Sequence, residues 1–229
     1  MRSLHSHPLT LLLLLGAPGA GKGTQGRRLA TATGALHCSV GDLFRAEIAA
    51  GTPLGALAAA CIGEGKLVPD DQTIALIRGR LTRPDVGRRV ILDGFPRTVA
   101  QAVALDAVAD GADWRLVPLL LEVDPAVLTR RLTGRSTCPA CGAIYHVELH
   151  PSQRVGLCDL DGATLVVRPD DHPAVVAARL AHQLGALGGV ADYYAGGERL
   201  VRVAGEGPID EVAERMLRSG ARAFRQIRD

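Results

Sequence analysis

Apolar positions along this chain fall into short unbroken runs, separated by longer stretches where apolar and polar residues recur with helical spacing. Residues 11–15 are five consecutive leucines ending in glycines, the pattern of a parallel strand covered on both faces. A helix is predicted over 21–33 and a short strand over 36–39. Residues 41–66 are alanine-rich and helical, broken near Gly51, Pro53 and Gly65. Asp70 or Asp71 is placed to cap a helix that runs to about 81. A strand at 89–92 is stopped by Asp93-Gly94, and a helix follows over 99–109. The next strand spans 116–123, after which Asp124 is an N-cap and Pro125 takes the first helical position. Residues 134–171 change character: cysteines, prolines, glycines and β-like pieces at 143–147 and 164–167 replace the helices. A helix resumes over 174–187, followed by a strand at 200–203 and a helix at 209–226. Alternating strands and helices predict an α/β fold with a parallel sheet between helical layers. Neither an internal repeat nor a low-complexity linker interrupts it.

Composition narrows the options. The 229 residues are 47% hydrophobic but 3% aromatic, so Leu, Val, Ala and Ile must fill the core. A net charge of +2 gives no electrostatic footprint for nucleic acid or an anionic membrane. Arg2 followed by the leucine run and Gly16-Ala17-Pro18-Gly19-Ala20 mimics a weak signal peptide, but cleavage there would destroy the motif that follows at once. No other segment is read as long and apolar enough to span a bilayer. Residues 1–8 are expected to form a loose leader, with His5 and His7 in it carrying no metal site. Five cysteines are too few for a secreted disulfide scaffold of this length and suit a reduced, cytoplasmic protein with a metal site.

The strongest chemical signal is Gly16-Ala17-Pro18-Gly19-Ala20-Gly21-Lys22-Gly23-Thr24, set between a predicted strand and a predicted helix. The spacing G-x-x-x-x-G-K is that of a phosphate-binding P-loop. Its glycines let backbone N–H groups turn toward phosphate oxygens, the helix N-terminus adds partial positive charge, and Lys22 adds a full one. Gly23 stands where a Ser or Thr usually follows the lysine, which weakens direct Mg²⁺ ligation by the loop; Thr24 comes one residue later.

The string GAPGAGKGTQ at 16–25 resembles the variant P-loop of the adenylate kinase family. Ser39-Val40-Gly41-Asp42-Leu43-Phe44-Arg45 resembles the family's S-T-G-D-x-x-R, and Asp93-Gly94-Phe95-Pro96-Arg97-Thr98 with Gln101 matches D-G-F-P-R-T-x-x-Q. Arg131, Arg135, Tyr145-His146, Arg168, Asp170-Asp171 and Arg179 fall where the long-lid branch keeps them, and the likeness runs from about residue 9 to the end. The resemblance implies Mg²⁺-dependent phosphoryl transfer from ATP to AMP. It places Arg45 and Arg97 on the AMP phosphate. Lys22, Arg131, Arg135, Arg168 and Arg179 surround the transferring group and donor phosphates, with Arg168 and Arg179 also reaching the acceptor. By the same resemblance Asp93 looks like the carboxylate that holds Mg²⁺ through water, beside the plainer reading of a strand-end turn residue. Gly19, Ala20, Gly21, Lys22, Gly23 and Thr24 would cradle ATP. Arg135 and the backbone near Ile144 and Tyr145 would frame its base, residues 205–207 including Gly207 would approach it through backbone, and Arg131 would stay with the ATP phosphates. Val40, Lys66, Leu67, Val68, Gly94, Phe95, Pro96 and Gln101 would line the AMP side, Gln101 reading the adenine edge. Charge chemistry agrees without the family: two nucleotides meeting phosphate to phosphate need several arginines, whose planar forks bind phosphate bidentately.

Two departures matter. Val40 replaces the threonine beside the acceptor base, a feature shared with relatives that take UMP or CMP, so another nucleoside monophosphate kinase is the first alternative. A lysine is often found where Gly207 stands.

Cys138-Pro139-Ala140-Cys141 is C-x₂-C, and Cys158-Asp159-Leu160-Asp161 follows as C-x₂-D. Cys138, Cys141, Cys158 and Asp161 at this spacing suit a closed, structural tetrahedral Zn²⁺ site, which the resemblance also implies for the lid. Asp159, His146 and His150 are weaker candidate ligands, and a disulfide or three unrelated buried thiols are the bland alternatives. The expected organisation is a core of 1–38, 69–133 and 172–229 with an NMP-binding insert at 39–68 and a zinc-ribbon-like lid at 134–171, working as a monomer without nucleic acid or membrane. A nucleotide-switched protein gripping nucleic acid with its ribbon is the rival from another class. Its ribbon has one aromatic residue, Tyr145, and no basic run.

Overall fold

A computed structural model describes residues 9–225; the expected leader with His5 and His7 lies outside the described residues. Strand β1 (Thr10–Leu15) pairs in parallel with β3 (Arg89–Asp93) on one side and β4 (Arg115–Glu122) on the other. Strand β2 (Leu36–Ser39) adds outside β3 and β7 (Val201–Ala204) outside β4, giving the order β2-β3-β1-β4-β7. All four pairings are parallel, as βαβ connections require.

The leucine run explains the layering. Side chains alternate across a strand, so Leu11, Leu13 and Leu15 join Val90 and Leu92 in one apolar layer. Leu12 and Leu14 join Ile91, Leu119 and Leu121 in the other. Each fully buried leucine contributes roughly 2 kcal/mol relative to exposure, so a strand apolar on both faces is stable only between two helical layers. Helices α1 (Lys22–Thr33) and α8 (Ile209–Arg225) pack together on the second layer. Helices α2 (Val40–Ala49), α3 (Pro53–Gly63), α4 (Asp70–Leu81) and α5 (Val99–Gly111) cover the first.

Side-chain caps open four of the helices. Ser39 accepts a hydrogen bond from Asp42 N, Thr52 from Gly55 N and Thr98 from Gln101 N. Asp124 accepts from Ala126 N at the head of α6 (Pro125–Thr133). At α4 the cap position is Pro69 and no side chain caps it; Asp70 sits in the first turn and directs its carboxylate elsewhere.

After α6 the chain forms the two-stranded antiparallel pair β5 (Arg135–Thr137) and β6 (Ile144–His146). The β-like piece expected at 164–167 is not a strand: it makes only isolated bridges, Leu157 with Thr164 and Thr137 with Val166. Few apolar side chains back it, so pairing does not propagate. Helix α7 (Pro173–Ala195) runs eight residues beyond the expected end. Gly188-Gly189 reads locally as a stop, but Gly189 lies against Val99 of α5, and buried Val190, Ala191 and Tyr194 anchor the last turns. At this length α7 is, by length and composition, apolar enough to cross a membrane, which corrects the sequence reading. It packs on α5 and α6 and buries the polar Arg179 and Gln183 along with five apolar or aromatic residues, the rest of its surface being less covered.

Candidate functional site

The switch in strand order falls at β1, where a parallel sheet opens a crevice at its carboxyl ends. Gly16 leaves β1 there and Asp93 ends β3 beside it. Gly19 and Gly21 take φ of 82° and 99°, the left-handed region that lets the loop wrap with its N–H groups inward. Lys22 opens α1 and folds back over the loop, donating from Nζ to the carbonyls of Gly16 (2.7 Å) and Ala17 (2.9 Å). Burial drives its pKa down from 10.5 to about 7; Asp93 opposes the shift, and Arg97, Arg179 and Arg135 reinforce it.

These cations line one cavity of about 690 Å³, within the usual range for a ligand site. Arg131, from α6, donates to the carbonyls of Ala20 (3.3 Å) and Gly205 (3.1 Å). Arg135 makes a bidentate pair with Asp171 at 2.7 and 2.6 Å. Arg179 reaches Asp170 at 2.8 Å and Asp171 at 2.9 Å. Arg168 donates to Thr137 Oγ1 at 3.0 Å; burial first, then Arg135 and Arg45, lower it to about 9. Arg97 donates to Gly94 O at 2.8 Å and Gln183 Oε1 at 3.3 Å, and burial then Arg179 lower it to about 10. Arg45 is paired with Asp42. Asp93 is buried, with His37 Nε2 3.3 Å from Oδ2 but off the line of a hydrogen bond. Cations thus outnumber carboxylates along the wall, and a polyanion is the ligand that resolves the excess.

Every residue named for the nucleotide site lines this cavity except Phe95. Phe95 is 1% exposed and packs in the core under β1, because its neighbours Gly94 and Pro96 turn the backbone, not the ring, toward the crevice. Gly207 lines the cavity with φ 104°, a conformation in which a lysine would be strained.

A family model described as adenylate kinase matches residues 14–198. The chain belongs to the adenylate kinase family. Proteins named adenylate kinase from Salinispora tropica and Bacillus subtilis are 42% and 43% identical to it over 207 and 202 residues. These alignments cover 90% and 88% of this chain and 95% and 93% of those proteins. One from Nitrosococcus oceani is 45% identical over 204 residues, 88% of this chain and 94% of that protein.

Beside the cavity of this adenylate kinase family member, Cys138, Cys141, Cys158 and Asp161 bring one donor atom each to within 4.8 Å of one another. Cys141 Sγ lies 3.6 Å from Cys158 Sγ, and Cys138 Sγ 3.3 Å from Asp161 Oδ2. Three thiols and a carboxylate facing one centre fit a four-coordinate soft cation, since Zn–S bonds of about 2.3 Å imply such separations. The Asp161 carboxyl is held down at about 2, first by the Ala163 N–H and then by the thiols of Cys141 and Cys138. Asp159 turns away to accept from Gln153 N at 2.8 Å, and neither His146 nor His150 joins the group. The thiols are free, with no disulfide among the described residues.

Several residues on or just behind the cavity wall, Arg28 and Arg130 among them, escaped the sequence reading as site residues. Arg27 of α1 lines the cavity and donates to Gly142 O at 3.0 Å, tying α1 to the Cys138–Cys141 turn. Gln183 of α7 meets Arg97, and Asp70 meets Gln101 at 2.7 Å. Such partners lie 31 to 115 residues apart, and no local spacing announces them.

Proposed function

We propose that the chain is an ATP:AMP phosphotransferase, converting ATP and AMP into two ADP. The carrying observation is that Lys22, Arg97, Arg131, Arg135, Arg168 and Arg179 converge on a single cavity with the P-loop on one side and Val40, Arg45 and Gln101 on the other. Two phosphate-bearing ligands meeting head to head account for so many cations; one small anion does not.

In this reading the P-loop N–H groups and Lys22 hold the β- and γ-phosphates of ATP. Arg135, the backbone near Ile144 and Tyr145 and the Gly207 backbone frame the donor base, and Arg131 stays with the ATP phosphates. Arg45 and Arg97 orient the AMP phosphate so that one of its oxygens attacks the γ-phosphorus in line. The bond from that phosphorus to the β-bridging oxygen breaks, leaving ADP on both sides. Lys22, Arg168 and Arg179 neutralise charge on the transferring group, and positioning supplies most of the rest. Asp93 is a buried carboxylate at a strand end, facing Gly23, and with phosphate oxygens it suits Mg²⁺ held through water. Bound there, the ion would offset negative charge on the donor phosphates.

The segment 39–68 serves as the acceptor-side insert and 134–171 as a lid with a structural Zn²⁺ on Cys138, Cys141, Cys158 and Asp161. Support for the metal is the four-donor cluster and the small core around it, only Cys138, Tyr145 and Cys158 being buried together with three partly buried neighbours. One chain suffices as the working unit, because both substrate sides share one cavity.

Val40, 2% exposed and without a hydroxyl, favours a second reading in which CMP or UMP is also accepted. A coupled assay with Mg-ATP and each monophosphate tests both. ADP formation with AMP as the best acceptor supports the proposal. CMP or UMP as the best acceptor supports the second reading, and no monophosphate-dependent ADP formation refutes both.

A further inference from the structure

We propose that Asp70 is a positioning residue that locks the Gln101 carboxamide in one orientation and thereby selects acceptor bases carrying a ring nitrogen acceptor beside an exocyclic amino group. The inference rests on Gln101 facing the acceptor base, as in the functional reading above.

A carboxamide has two nearly equal shapes related by a flip, so its base preference depends on what fixes it. Gln101 is 1% exposed and lines the cavity. Its Oε1 accepts from the backbone N–H of Arg97 at 2.8 Å, and its Nε2 donates to Asp70 Oδ1 at 2.7 Å. A backbone N–H only donates and a carboxylate only accepts. Flipping the amide would set N–H against N–H at Arg97 and oxygen against oxygen at Asp70. Both bonds would be lost and both contacts would become repulsive, in a buried place where unsatisfied polar groups are costly.

Asp70 is itself held. Thr98 Oγ1 donates to Asp70 Oδ2 at 2.8 Å while accepting from Gln101 N at 3.1 Å. The hydroxyl proton must lie toward Asp70, because its other partner is a donor. The first turn of α4 and the first turn of α5 are thus tied into one rigid unit around the amide.

Gln101 has two N–H groups and two lone pairs. One of each is spent on Asp70 and Arg97. The remaining N–H and lone pair form a donor–acceptor edge. Adenine N1 with its 6-amino group complements that edge, and so does cytosine N3 with its 4-amino group. Hypoxanthine, guanine and uracil present N–H beside C=O and oppose it. The site therefore selects amino-type bases over keto-type ones, and size alone separates AMP from CMP here.

AMP and IMP differ only at this edge, which makes them the pair to compare. The full chain and its Asp70→Asn and Asp70→Ala variants are assayed with saturating Mg-ATP and each acceptor; two variants guard against a folding failure in one. Ala removes the acceptor facing Nε2 and Asn can present either an oxygen or an N–H there, so both weaken the lock and leave the Arg97 N–H as the one fixed restraint on the amide. The expected result is a fall of about tenfold or more in the AMP-over-IMP ratio of kcat/KM, the size expected for a buried hydrogen bond to a charged group. KM for ATP stays unchanged. Equal proportional losses for AMP and IMP, or an unchanged ratio, overturn the proposal and leave Asp70 a structural residue. A wild-type chain that makes no ADP from AMP overturns the functional reading as well.

Discussion

Lys22 offers a direct test of the electrostatics of the cleft. Its pKa falls from 10.5 to about 7 through burial and through Arg97, Arg179 and Arg135, with Asp93 the opposing charge. The shift corresponds to at most about 5 kcal/mol between the two protonation states. At pH 8 roughly nine in ten free chains then hold a neutral Lys22. Phosphates bound at the P-loop reverse the balance and return the group to its charged form. Binding of a non-hydrolysable Mg-ATP analogue should therefore take up about 0.9 proton per chain at pH 8, about 0.5 at pH 7 and almost none at pH 5.5. By the same arithmetic Arg97, at about 10, stays protonated across this window, and Arg168, at about 9, adds at most about 0.1 proton at pH 8. Calorimetry in two buffers of different ionisation enthalpy reads the uptake directly. The free protein follows the same sign. A folded-state pKa below the unfolded value means that the unfolded chain holds the proton longer, so stability rises as pH climbs from about 7 toward 10.5. Lys22→Met should abolish both the proton uptake and this rise, and should cut turnover by orders of magnitude. No buffer dependence in the wild type, or equal uptake in the variant, would refute the reasoning.

Arg97→Ala should lower kcat/KM for AMP about a hundredfold while Kd for ATP changes little, since a bidentate charge-assisted grip is lost on one side only; equal losses for both nucleotides in separate titrations would count against it. Val40→Thr should sharpen the preference for AMP over CMP in acceptor kinetics, and an unchanged ratio would mean that pocket size and backbone contacts already separate the two. Elemental analysis should find about one zinc per chain, as a closed four-ligand site implies, and chelation should lower Tm. Asp161→Ala should weaken metal retention whereas Asp159→Ala should not, and the reverse order would overturn the ligand assignment.

The sequence carried the central architecture because its signals there are local and agree with one another. A five-leucine strand, a glycine loop with Lys22 and an alternating order of elements leave few packings open. Where the outcome differed, a distant contact outvoted a local preference. Gly188-Gly189 spells a helix end, yet the fit against Val99 and the burial of Tyr194 carry α7 through it. Asp70 spells a cap, yet two donors from the turn before and within α5 claim its carboxylate. Phe95 sits inside a binding motif, but the motif's backbone and flanking residues face the cleft while the ring fills the core. The arginines were legible as a set and their partners were not. Asp171 meets Arg135 across 36 residues, and nothing in local spacing encodes that pair.

Those partners explain how a cluster of buried cations folds at all. Arg135 and Arg179 share Asp171, and Arg179 also holds Asp170, so the short helical turn Pro169–Asp171 supplies carboxylates to the arginines of the cleft. Arg45 has Asp42. Lys22, Arg97 and Arg131 instead lean on carbonyl groups and Arg168 on a hydroxyl, and burial, the largest cause, lowers the pKa of these four as it does that of Arg179. The cleft is thus divided in two. One set of cations is held in place by acids and stays pre-aimed before any substrate arrives. The other is left short of negative charge at the P-loop and beside Gly94 and Gln183, where in the proposed function the two nucleotides would bring their phosphates. Full neutralisation of the site then requires both substrates together, and an arrangement balanced only by two polyanions favours the state in which transfer occurs.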